Sequence, residues 1–220
     1  MIPLKQLKDT DPLLRNAEKA LDEEEFSPMD PPDAFSPPAA TELSYDDMHP
    51  FLQGLMDEHK VLISVLEAFE STLERIAADG LSRELHTEIS DFFRQLDEDM
   101  IRHNMVEEKI LFPLLRERFL ESGDHSNGPE QTTAVEMLED DHIKFMQLAA
   151  ISFNFIGLAG RLPDGASAAM TLDAGMEQGK VLVEQLRLHI FREDNVVFPM
   201  AQERISAAEF DAMQRRQDAS

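Results

Sequence analysis

A chain of 220 residues is long enough for one well-buried domain with an appendage and too short for two large ones. Its formal net charge of −24 repels phosphate backbones and no basic patch interrupts it, so nucleic-acid binding is set aside, and no apolar run approaches the roughly 20 residues needed to span a bilayer. The absence of Cys rules out disulfides and thiolate-bound iron–sulfur clusters within these residues; with an opening, MIPLKQLKDTDPLL, that lacks a signal-peptide apolar core, it points to a cytoplasmic protein.

Residues 1–45 form a first, Pro-rich and acidic arm. A short helix is expected around Asp11 to Glu24, and then FSPMDPPDAFSPPAATE forbids a regular helix or central strand. Phe26, Phe35 and Leu43 are too few to build a core, so the arm is expected to be extended or partly disordered. From Asp46 the pattern is helical almost throughout. Leu52, Leu55, Met56, His59, Leu62, Leu66, Phe69, Leu73 and Ile76 recur at three- and four-residue spacing up to a plausible cap at Gly80, which predicts a first helix. Ser82, Leu85, Ile89, Phe92, Leu96, Met100, His103, Glu107, Ile110, Leu111 and Leu114 predict a second, closed by the polar stretch ESGDHSNGPE. Val135, Leu138, His142, Phe145, Leu148 and Phe155 predict a third, stopping near GLAGRLPDG, and Leu182, Leu186, His189, Glu193, Val197 and Met200 a fourth. Ser206 to Glu209 has the spacing of a capping box, so 206–220 is expected to form a short terminal helix or tail. The expected fold is all-α: an antiparallel up-down-up-down four-helix bundle over 46–205, with the irregular arm before it.

The helices also repeat. His59 and His142 stand 83 residues apart, each after an acidic residue (DEH and DDH); His103 and His189 stand 86 apart, as do Glu107 and Glu193, and the LFP and VFP that follow keep the same interval. The chain reads as two copies of one helical hairpin.

Spacing i, i+4 puts His103 with Glu107, and His189 with Glu193, on one helical face, and the periodicity points that face inward. Buried imidazoles and carboxylates are costly unless paired or metal-bound, so the duplicated pairs require a reason. At roughly 1.5 Å per residue, His59 lies about as far before the turn at Gly80 as His103 lies after it. The same count around the turns near Pro163 and Ser126 brings His142, His189 and Glu107 to a similar height. Four neutral imidazoles and two carboxylates at one level suit a pair of first-row metals, each carboxylate bridging and two histidines per metal, with redox-active iron the natural guess and manganese or zinc not excluded by the ligand set. A ferritin-type site would want Glu-x-x-His from two helices, and only Glu139 to His142 has that spacing. The competing reading of the six residues is a set of core histidines salt-bridged to glutamates.

At these residues the sequence resembles the hemerythrin-like, or HHE cation-binding, family over about residues 47–204, through its pattern H, HxxxE, H, HxxxE. The resemblance implies two non-haem irons, oxo- or hydroxo-bridged, held by His59, His103, His142 and His189, with Glu107 and Glu193 bridging. It implies a protein that binds or reacts with oxygen, nitric oxide or peroxide in oxidative or nitrosative stress, as a binder, a sensor or a di-iron oxidoreductase. The oxygen carriers of the family use five histidines and an aspartate at the last position; here that position is Glu193 and no fifth histidine stands at the right height. The iron–sulfur repair members add an N-terminal cysteine-bearing segment, and this chain has no Cys, so repair or iron handling is the runner-up; an oxygenase acting on an organic substrate is a third reading.

The remaining candidates are weaker. His86, His49 and His125 are expected at the surface, and Tyr45 could reach the metal layer only if the arm folded over it. Asp99 and Asp141 flank ligands and are candidates to orient imidazoles. Met56, Met100, Met105, Met146 and Met200 read as adaptable core filler.

Overall fold

The computed structural model describes residues 43–129 and 131–219, and the regular structure among them is entirely helical. The expected helix around Asp11 to Glu24 and the arm as far as residue 42 lie outside the described residues. The described chain enters through a short 3-10 turn, Tyr45–Asp47. It continues as α1 (Pro50–Asp79), α2 (Arg83–Val106), α3 (Phe112–Ser122), α4 (Ala134–Ala159), α5 (Gly165–Arg192), α6 (Phe198–Arg204) and α7 (Ala207–Asp218). None of these helices is long and apolar enough to cross a membrane.

Local chemistry sets the ends. Pro50 opens α1, where its missing N–H costs nothing, while His49 accepts the N–H of Phe51. Gly80 ends α1 at φ +82°, a conformation that disfavours any side chain. Ser82 caps α2, Thr133 and Glu136 form a capping box on α4, and Asp164 caps α5 by accepting from the N–H of Ser167. The box expected at Ser206 and Glu209 opens α7. The fourth helix begins at Gly165, well before the apolar run that reveals it in the sequence.

α1 packs on α2 and α5, and α4 on α2 and, most extensively, on α5. Gly175 and Gly179 permit that last close approach: a Cβ on Gly175 would stand 3.0 Å from the backbone nitrogen of Ile156.

Periodicity predicts that the second and fourth helices run on unbroken, and the structure corrects this. Each passes into a π turn, Glu107–Leu111 after α2 and Glu193–Val197 after α5. Pro113 and Pro199 supply the reason. Neither has an N–H to offer the carbonyl four residues back, and the ladder widens so that Phe112 N–H reaches Glu107 O and Phe198 N–H reaches Glu193 O. Lys109 O, the carbonyl Pro113 cannot serve, accepts instead from Arg216 of α7 at 3.2 Å.

Two apolar slabs result. One contains Leu66, Phe69, Phe92, Leu96, Met100, Phe145 and Leu186; the other contains Leu55, Ile110, Phe112, Leu138, Val197, Phe198 and Phe210. Along every long helix the histidine falls between a residue of one slab and a residue of the other, so the polar level is sealed on two sides by hydrocarbon. At about 1.5 to 3 kcal/mol for each fully buried Leu or Phe, the slabs can offset the cost of an ionisable layer between them.

Candidate metal centre

The structure brings all six expected side chains together. His59 comes from α1, His103 from α2, His142 from α4 and His189 from α5, while Glu107 and Glu193 are the first residues of the two π turns. Donor atoms of His59, His103, Glu107 and Glu193 lie within 4.8 Å of one another, and so do those of His142, His189 and the same two glutamates. Two four-donor nests therefore share both carboxylates.

Burial makes this arrangement demanding. Glu107 and Glu193 are 0% exposed, and none of their four carboxylate oxygens has a hydrogen-bond partner among the described residues. The nearest groups are imidazole nitrogens: His59 and His189 Nε2 at 3.2 Å from Glu193, and His142 and His103 Nε2 at 3.4 and 3.5 Å from Glu107. Dry carboxylates without donors carry a desolvation cost that only a positive charge in their midst repays.

The histidine tautomers point the same way. His59 Nδ1 donates to Asp194 at 2.8 Å, His103 Nδ1 to Glu58 at 2.8 Å and His142 Nδ1 to Glu108 at 2.9 Å; His189 Nδ1 approaches Asp141 at 3.4 Å. Ionised carboxylates only accept, so each neutral ring carries its proton on Nδ1 and turns a bare Nε2 lone pair inward. Those lone pairs meet head-on, 3.0 Å apart for His59 and His103 and 3.2 Å for His142 and His189. Such pairs repel unless a cation lies between them. Orphaned carboxylates and opposed imidazole lone pairs both fit metal ions.

In the metal-free chain, protons take that part. Burial alone would lower the pKa of His59, but the carboxylates of Asp194 and Glu193 more than reverse this and raise it to about 10. For His189 burial is likewise overcome, chiefly by the charge of Glu193 and by Asp141, and the value rises to about 9. Glu193, which burial pushes up, is held well below the usual carboxylate range by His189 and His59.

The four supporting acids close a ring that the sequence reading largely missed. Glu58 of α1 serves His103 of α2, Glu108 of the first π turn serves His142 of α4, Asp141 of α4 serves His189 of α5, and Asp194 of the second π turn serves His59 of α1. Each acid is the chain neighbour of one donor and the partner of another on the next helix. Asp141 was the only one expected in this role, and Arg192 also holds it, at 3.2 Å. The available signal was the repeated acid beside each donor, DEH, EE, DDH and ED. Phe198 stacks on His59 at 5.7 Å and Phe112 on His142 at 6.0 Å, which gives the repeated Phe-Pro a second use beyond the π turn.

Other expectations need correction. Asp99 pairs with Arg102 and touches no imidazole, because it lies a full turn before His103. Tyr45 is at the surface, donating to Asp57 beneath the ammonium of Lys60, and does not reach the centre. His49 is not solvated: it stacks on Phe210 at 5.0 Å, since α7 folds back over the start of α1. His125 is half-buried with Nδ1 at 2.9 Å from Ser126 O, whereas His86 is exposed as expected. Glu139 is bound to Arg116 at 2.6 Å, which removes the ferritin-like spacing from consideration. Met105 and Met146 are each 56% exposed and so are not core filler, while Met100 is.

A site of this composition defines a class, a helical protein with a buried His/Glu cation nest, and the comparison with known families matches it. The profile of the Hemerythrin HHE cation binding domain covers residues 51–201, and the chain belongs to that family. Among curated proteins it is similar to the iron-sulfur cluster repair protein YtfE of Escherichia coli O1:K1 / APEC and to that of Escherichia fergusonii. Each is 25% identical over 145 residues, covering 66% of this chain. The match spans 60% of the length of these relatives.

Proposed function

We propose that the chain is a non-haem di-iron protein that binds or reacts with small oxidants such as oxygen, nitric oxide or peroxide. His59 and His103 would hold one metal, His142 and His189 the other, and Glu107 and Glu193 would bridge them. The four long helices are read as an up-down-up-down antiparallel bundle whose mid-level is this centre. One observation carries the reading: four dry carboxylate oxygens without a hydrogen-bond donor, faced by four imidazole nitrogens whose protons are committed elsewhere. Bound iron would supply one-electron redox chemistry and a Lewis-acid position for a small ligand.

The chain's own part is to prepare that position. The carboxylate ring fixes the imidazole tautomers and raises their basicity. The π turns place Glu107 and Glu193 between the two histidine pairs, and the apolar slabs keep bulk water from the donors. Asp194, Glu58 and Glu108 are partly solvent-exposed at their outer side, so a proton on an Nδ1 has a path to the surface that does not cross the core.

A second reading is iron handling in iron–sulfur cluster repair, favoured by the similarity to iron-sulfur cluster repair proteins. These 220 residues contain no Cys, so a thiolate in that reading would come from outside them. Metal analysis with optical spectroscopy on protein purified without added metal tests the main reading. About two irons per chain are expected, lost in His103→Ala and Glu193→Ala; stoichiometric zinc, or no metal, refutes it. Restoration of a damaged iron–sulfur enzyme by the loaded protein, with no consumption of oxidant, would favour the second reading.

A further inference from the structure

In a chain whose net charge is −24, no residue from Phe145 to the end of α4 at Ala159 carries a charge. A helix that is apolar all round belongs in an interior, yet one side of α4 faces outward: Ile143, Met146, Ile151, Phe153, Phe155 and Leu158 are each 40% to 56% exposed. Met170, near the start of α5 and 75% exposed, joins them across an open groove that Ile151 and Phe155 line and Asp173 and Glu177 border. At about 150–250 Å² for a large apolar side chain, the exposed parts of these residues come to about 700 Å². A monomer rarely shows a contiguous apolar patch above about 300–600 Å², and a stable interface takes about 800 Å² from each partner.

The internal duplication shows that the fold does not require such a surface. At the positions 83 residues earlier, on α1, Ile143, Ala150, Gly157 and Leu158 are replaced by Lys60, Glu67, Glu74 and Arg75, all exposed. The inward positions keep their character, with Leu66, Leu73 and Ile76 answering to the likewise buried Ala149, Ile156 and Ala159. One copy of the helix is built to face water, and the other is not.

We propose that α4 is the contact helix of a symmetric dimer, packed antiparallel against α4 of a second copy of this chain. A two-fold contact requires a self-complementary face, on which one residue meets a second and the second meets the first. The outward line of α4 runs Ile143, Gln147, Ala150, Ile151, Asn154, Leu158, and its spacing is the same from either end. About a two-fold between Ala150 and Ile151, Ile143 of one copy meets Leu158 of the other, the amides of Gln147 and Asn154 meet each other, and small Ala150 meets large Ile151. The charges agree as well. Gln185 lies beside Lys144 and Gly175 beside Ile156, so Asp173 stands at about the height of Gly157. The same two-fold sets Lys144 of the second copy at that height, so a cation of each molecule approaches an acid of the other. A contact centred on an uncharged face also avoids setting acid against acid between two chains of −24. The proposal does not depend on which metal the centre holds.

Sedimentation velocity of the full 220-residue chain should show a concentration-dependent dimer. Ala150→Glu and Leu158→Arg copy the residues at the equivalent exposed positions of α1, so both are expected to fold, with circular dichroism as the check. Each should weaken association by at least about 100-fold, because it sets unpaired or like charge into the contact. Since these residues include no Cys, introduced thiols report the register: a short bis-maleimide should join Ile143→Cys to Leu158→Cys in a mixture of the two, and should not join Ile143→Cys to itself. A chain that stays monomeric at about 100 μM, above the micromolar limit for interfaces of this size, would overturn the proposal. So would a dimer that both charged variants leave intact, or cross-linking of Ile143→Cys to itself in place of the mixed pair. A monomer that floats with phosphatidylcholine vesicles would overturn it too, and would assign the face to a lipid surface.

Discussion

Removing the charge from one supporting acid tests how much the ring of carboxylates contributes. Asp194 is the cleanest choice, because it receives His59 Nδ1–H at 2.8 Å and its side chain remains one-quarter exposed, so Asp194→Asn leaves no buried vacancy. The Asn oxygen can still accept, and what is lost is the charge assistance. A charge-assisted hydrogen bond contributes about 1.5 to 3 kcal/mol against about 1 for a neutral one, a difference of about 0.5 to 2 kcal/mol. At about 1.4 kcal/mol per decade this weakens one metal position by about 2- to 30-fold, overlapping the about 10- to 100-fold typical when the support of a ligating histidine is lost. Competition titration against a graded series of chelators would measure it, with Asp57→Asn as control: Asp57 binds Tyr45 and Lys60 at the surface and should leave affinity untouched. Equal affinity in wild type and Asp194→Asn, with Glu58→Gln also silent, would refute the claim that these acids prepare the imidazoles.

Three further outcomes are expected. In chelator-treated protein His59 and His189 have folded-state pKa values of about 10 and about 9, above the unfolded value of 6.5, so their contribution to stability is complete below pH 6.5 and is lost as pH rises through 9 to 10. Thermal melts of the metal-free chain should fall over that alkaline window, whereas the loaded chain should instead release metal as acid protonates its ligands; a metal-free melt independent of pH there would contradict the assigned contacts. Gly175→Ala should destabilise by about 1 to 3 kcal/mol through collision with the Ile156 backbone, while Gly54→Ala, with open space around it, should stabilise by up to about 1 kcal/mol, both read from denaturant midpoints. Glu209 is held down to about 2, first by Ser206 and then by Arg118, so its support of α7 is present above the ordinary Glu value and is lost as pH falls towards 2; NMR of the Phe210 ring should report α7 loosening in that acid range, and Glu209→Gln should make it insensitive to that titration.

The chain alone determined the helices, the internal duplication and the six inward polar side chains, because each is written in short-range order: three- and four-residue apolar spacing, an i, i+4 pair repeated at 86 residues, caps beside helix starts. Even the π turns had a local cause in Pro113 and Pro199, which a helical periodicity count passes over because it asks where side chains point and not where N–H groups are missing. Only tertiary structure decided which acid supports which histidine, since those partners stand 34 to 135 residues apart and the choice depends on which helices are neighbours. It also decided that a cavity opens beside His103 at Leu62, while the ring of Phe145, 83 residues on, packs edge-on against His189. Leu62 and Phe145 are both ordinary apolar letters at equivalent positions, and the difference in their volume becomes a cavity only when a facing helix fixes how much room there is to fill.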